Sequence, residues 1–132
     1  MIKIKNLMDY LYTNLSMFAP VHFENMERNN EGNIIIEGTN IVYKIEGAQL
    51  TQVESIVDFQ LTIDFWYLLE DFYDIENMVL EVDDTIFGKV IKNEDSGTFR
   101  IFKSDNFLMN IRDEDGKIRR KRLNYIVRYY GL

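Results

Sequence analysis

Apolar side chains recur along this chain with two distinct periods. Ile4, Leu7, Met8, Leu11 and Leu15 follow the three-and-four spacing of a one-sided helix, predicting a helix over about residues 5–17. Asn6 is placed to cap it, Asp9 to favour its first turn, and Pro20 to end the segment. A second stripe, Ile75, Met78, Val79, Val82 and Ile86, predicts a helix over about 74–87, with Asp74 as cap and Gly88 as the terminating residue. Elsewhere the period is two. From Val53 to Trp66, Val53, Val57, Phe59, Leu61, Ile63 and Phe65 share a face, opposite Glu54, Asp58, Gln60, Thr62 and Asp64. In a last strand beginning at Ile118, Leu123, Tyr125, Val127 and Tyr129 oppose Arg120, Arg122, Asn124, Ile126 and Arg128. Shorter strands are expected at 21–26, 99–103 and 107–112, and as a hairpin of 34–37 with 41–46 around Gly38-Thr39-Asn40. Asp113-Glu-Asp-Gly116 carries the signal of a tight turn into the last strand.

The order helix, strands, helix, strands predicts an α+β fold. It would have an antiparallel or mixed sheet, an N-terminal helix, a second helix packed on one face, and a C-terminal β-hairpin. No repeat or linker divides the chain, so residues 1–132 read as one domain, a usual size for a single core. With 46% hydrophobic residues, the chain has ample apolar surface to offset chain entropy.

Composition narrows the chemistry. There is no cysteine, hence no disulfide, thiolate site or thiol nucleophile, which fits a reducing cytoplasm. The N-terminal Met1-Ile-Lys-Ile-Lys-Asn6 lacks the apolar run of a signal peptide, and no stretch approaches the ~18 apolar residues of a membrane span. The expectation is a soluble protein made and used inside a cell, with no membrane contact. The lone histidine, His22, cannot by itself supply a triad or a zinc site. Asp83-Asp84 and Glu70-Asp71 are adjacent in sequence, so their side chains diverge by about 100° on a helix, and a solvated face is expected rather than a metal site. No glycine-rich phosphate loop or serine elbow occurs. The reading is therefore of a non-enzyme, with no catalytic, cofactor or metal residues.

The distribution of charge points to binding instead. Residues 45–88 hold eleven acids and no Lys or Arg, whereas 117–132 hold six Lys or Arg and no acid, within a net charge of −7. Lys117-Ile-Arg-Arg-Lys-Arg122 admits three readings: a nucleic-acid patch beside Tyr125, Tyr129 and Tyr130, a basic edge strand that discourages β-pairing, or a surface complementary to the acidic middle of another copy. Tyr125 and Tyr129 fall on the expected core face, which argues against stacking on bases. The third reading nominates Asp58, Gln60, Asp64 and Trp66 on the outer strand face, and Arg119, Arg120 and Arg122 on the last strand, as protein-interface residues.

Element order, size and charge split together resemble the tail terminator (tail completion, head-tail joining) proteins of long-tailed bacteriophages. The likeness runs through "NLMDYLYTNL", "PVHFENM", "NIVYKI", "VDFQLTIDFWY", "DIENMVLEVDDTIF" and "YIVRYYGL", which cover most of the chain. It rests on pattern and transfers no individual residue. It implies a structural virion protein at the head-tail junction, assembled in the host cytoplasm. Such a protein is monomeric in isolation or closes into a hexameric ring of copies on the tail tube protein, meets the head connector protein, and encounters DNA only as passage through the ring. The competing expectation is a small acidic phage-encoded inhibitor, with residues 54–84 imitating phosphate charge toward a host nucleic-acid-binding protein.

Overall fold

The structure is a computed structural model and describes residues 4–34, 36–50, 55–93, 97–112 and 117–131. Its elements are α1 (Lys5–Leu15), β1 (Val21–Phe23), β2 (Asn40–Leu50), β3 (Ile56–Leu68), a 3-10 turn (Leu69–Asp71), α2 (Phe72–Ile86), β4 (Val90–Asn93), β5 (Gly97–Arg112) and β6 (Ile118–Tyr130). The α+β class is as expected. The six strands form one mixed sheet in the order β1-β2-β3-β6-β5-β4, in which only β1 and β2 run parallel.

Burial follows the two periods. Leu7, Leu11 and Leu15 of α1 join Ile75, Val79, Val82 and Ile86 of α2 in one cluster with Leu61, Ile63 and Phe65 of β3 and Leu123, Tyr125 and Val127 of β6. Truncating any fully buried Leu there would cost about 2–5 kcal/mol. Both helices are capped differently from expectation. Asn6 lies inside α1, whose N-cap is Ile4, and its amide reaches the Lys92 carbonyl at 3.5 Å. The 3-10 turn starts α2 at Phe72 with Asp71 at the cap, and neither cap residue makes a side-chain bond. Gly88 does take a positive φ, 73°, just past α2.

Two strand expectations need correction. Among the described residues, Ile34, Ile36 and Glu37 form no hairpin with 41–46, and Ile34 makes an isolated bridge to Arg28. Because β1 and β2 are parallel neighbours, the chain between them must cross a face of the sheet. Met26, Ile34 and Ile36 on that crossover pack against Val42, Trp66 and Ile118, so the apolar residues that suggested a strand plug this face instead. The second correction concerns 99–103 and 107–112, which belong to a single strand, β5. Its register with β6 shifts between Lys103 and Leu108, where Asn106 has φ 54°. The turn signal at 113–116 lies outside the described residues, as do Val53 and Glu54.

Candidate protein-interaction site

Strand order changes the meaning of the charge split. β3 and β6 are adjacent, and the register places Asp58 opposite Arg128, Asp64 opposite Arg122, and Trp66 opposite Arg120. Arg122 donates to both oxygens of Asp64, at 2.7 and 2.9 Å, and Arg128 binds Asp58 in the same two-pronged way, at 2.8 and 2.9 Å. The Arg120 guanidinium lies 4.6 Å from the Trp66 ring centre and its Nη1 is 3.5 Å from Asp64 Oδ2. The acidic and basic strands thus answer each other within one molecule. The hydrogen bond to Asp64 also raises the pKa of Arg122 above its ordinary value, against the desolvation that opposes it. Because β6 lies between β3 and β5, the reading of its bases as protection for an edge strand is overturned.

Of the nominated interface residues, Asp58, Gln60, Asp64, Trp66, Arg120 and Arg122 share the outer face. Arg119 falls on the alternate side of β6, opposite Tyr67. Exposure divides them. Gln60 is exposed, but Asp64 and Trp66 are buried, because the crossover that the hairpin expectation missed lies over their end of the face. Between crossover and sheet is a cleft of about 360 Å³ lined by residues including Arg28, Lys44, Asp64, Trp66, Arg120 and Arg122. Its cations are largely answered: Lys44 pairs with Glu46 at 3.0 Å, and Arg28 donates to the Gly32 carbonyl at 2.8 Å. Tyr125 and Tyr129 are buried in the core cluster, consistent with their expected inward face.

The acids of α2 are not all solvated, contrary to expectation. Asp83 accepts a 2.7 Å hydrogen bond from the Tyr125 hydroxyl, and its other oxygen is 3.1 Å from Lys103 Nζ. That ammonium sits 4.6 and 4.5 Å from the ring centres of Phe87 and Phe107. Burial first, and the bond to Asp83 second, push the Tyr125 hydroxyl well above its usual pKa. Lower on the same flank, Glu76 accepts from Lys121, whose ammonium burial holds below the usual lysine pKa.

With those contacts fixing one side of α2, another side is left open. Tyr73 and Leu80, 83% and 63% exposed, form a row there. Their seven-residue spacing returns to the same side of a helix every second turn, a signal present in the sequence but overshadowed by the stronger inward stripe. The exposed acids Glu70, Asp74, Glu81 and Asp84 flank the row. Apolar centre and charged rim is the arrangement of a protein contact surface. Among the described residues, no group of three or more His, Asp or Glu side chains is placed to hold a metal, and no helix is long and apolar enough to cross a membrane. The chain matches no protein-family model and no curated protein sequence.

Proposed function

We propose that this chain is a structural virion protein that, like the phage tail terminators it resembles, acts by binding other proteins. Copies of it would cap the tail tube as a ring and make the joint to the head connector. The observation that carries the reading is the row of Tyr73 and Leu80, with its acidic rim, on a helix whose other flanks are held by the core, Lys121 and Tyr125. Large apolar side chains held in solvent by a rigid element fit a partner surface better than a small molecule. The reading takes both helices as packed on one face of the sheet and β5 with β6 as the closing hairpin.

The second reading, an acidic inhibitor of a host nucleic-acid-binding protein, has narrower support. Asp58, Asp64 and Asp83 are engaged inside the fold, which leaves the exposed acids around α2 to imitate phosphate. One experiment separates the two: purified chain is added to polymerising tail tube protein, and tube length and bound mass are measured. The terminator reading expects tubes to stop growing with a ring of copies at one end, and Tyr73→Ala with Leu80→Ala to weaken capping about tenfold or more, as loss of central apolar contacts does. Tubes that grow on unaffected, with monomeric chain capturing a basic nucleic-acid-binding protein, would reverse the choice.

A further inference from the structure

The two outer edges of the sheet are each only half covered. β1 pairs with β2 only from Ile41 to Tyr43, and one further bond runs from the Glu24 amide to the Tyr43 carbonyl. β2 continues to Leu50 with β3 on its other side. At the opposite edge, β4 pairs with Gly97–Arg100 of β5, and Gly88 and Lys89 extend the cover to Ile101. Leu108–Arg112 then pair only with β6 among the described residues. Tyr43, Ile63, Leu123 and Leu108 form one continuous row across the sheet. Among the described residues, β2 is bare on one side of that row, and β5 is bare from Leu108 onward on the other. The sheet therefore has two open half-edges at diagonally opposite corners.

Strand direction and hydrogen-bond parity fit these half-edges to each other. Three antiparallel steps separate β2 from β5, so the two strands run in opposite directions. A second copy set beside the first in the same orientation would bring its β2 antiparallel to β5. Ile101 donates to Lys89 and accepts from Gly88, and alternation carried along the ladder with β6 turns the main-chain groups of Leu108 and Asn110 outward. On β2, Ile41 donates to Pro20 and Tyr43 accepts from Glu24, so the groups of Ile45 point outward likewise. Ile45 packs against the core cluster, and Leu108, opposite the core residue Leu123 and 48% exposed, lies on that same side of the sheet.

We propose that copies of this chain join by β-strand addition, the open end of β5 in one copy pairing antiparallel with the open end of β2 in the next. Unpaired strand edges are templates for such addition, and a heterologous contact of this kind closes into a ring when its rotation allows. Bringing Ile45 level with Asn110 requires a stagger of four residues, ~13 Å, across the four strands β2, β3, β6 and β5, ~19 Å. That stagger corresponds to a tilt of roughly 35°, at the edge of the ~35–45° at which staggered sheets close on themselves. The contact supplies the self-association that the terminator reading requires, and its closure into a ring rests on that reading.

The test uses the absence of native cysteine. Ile45→Cys is combined with Leu108→Cys, and separately with Asn110→Cys, and the full chain is oxidised alone and on tail tubes. The paired positions lie on opposite edges of one sheet, so a disulfide between them can form only between copies. The expected result is a ladder of crosslinked copies, lost from the Ile45→Cys, Leu108→Cys pair when Asn110→Pro is added, since that change removes an outward donor while sparing the bonds to β6. Assembly on tubes without crosslinks in either pair overturns the strand contact and leaves the terminator reading standing. Crosslinked copies that ignore tubes sustain the contact and sink that reading. No crosslink at the highest soluble concentration, on tubes or off them, overturns the contact.

Discussion

Asp64 shows how burial decides what a charge is worth. Its side chain is 9% exposed and answers both Arg122 and Arg120, whereas Asp58 is 17% exposed and answers Arg128, itself more open than Arg122. Removing one partner of a buried pair strands the other, at about 3–5 kcal/mol, whereas exposed pairs contribute about 1 kcal/mol or less. Asp64→Asn is therefore expected to cost about 3 kcal/mol and Asp58→Asn about 1 kcal/mol, read as the difference in urea midpoints. Equal losses would mean that the crossover does not shield Asp64 from water. The residues of this network were legible in the sequence as two alternating charged faces, but their pairing was not. A period of two fixes which side a residue faces and says nothing about which strand lies beside it, so complementary neighbours looked like two separate surfaces.

At the level of elements, backbone conformation distinguishes two glycines. At Gly88, φ is 73° and an added Cβ would meet nothing within 4 Å, so Gly88→Ala carries only the left-handed backbone penalty, about 1 kcal/mol. At Gly97, φ is 118° and the Cβ would lie 2.2 Å from the Tyr130 carbonyl oxygen, a main-chain atom held in the β5–β6 ladder. Gly97→Ala must push two strands apart at the closed end of β5. It is expected to lower the thermal midpoint several times further than Gly88→Ala, and comparable shifts would show that the ladder yields there. Long elements were legible because their period repeats: α1, α2, β3 and β6 all lie close to where their stripes place them. β4 has only four residues, Val90–Asn93, too short for alternation to register. The Ile34–Glu37 run was read as a strand because apolar β-branched residues suit either a ladder or a plug, and only the parallel placement of β1 decides between them.

Across the whole molecule, burial of phenols sets the response to alkaline pH. Burial raises the pKa of Tyr10, Tyr43 and Tyr67, and most strongly that of Tyr125, from the ordinary value of 10.0. The folded chain keeps these protons at a pH where the unfolded chain has released them, so the unfolded state binds fewer protons and stability falls as pH rises. Their contribution is fully present below pH 10 and is lost progressively above it. For Tyr125 the loss approaches a ceiling of about 1.4 kcal/mol per pH unit. The same hydroxyl is worth about 1–2 kcal/mol at neutral pH, because Tyr125→Phe would deprive Asp83 of a buried donor while Lys103 keeps its other oxygen. The first term grows against the fold above pH 10, while the second stays constant as long as the folded hydroxyl keeps its proton. The parent chain should be the more stable near pH 7, lose its advantage over Tyr125→Phe about one unit above the ordinary tyrosine value, and fall below it beyond that. Denaturant midpoints of both proteins from about pH 7 to about pH 12 would locate the crossing. Curves that stay parallel would show that the Tyr125 hydroxyl reaches solvent in the folded state, and that the Asp83 contact joining α2 to β6 is looser than its 2.7 Å hydrogen bond implies.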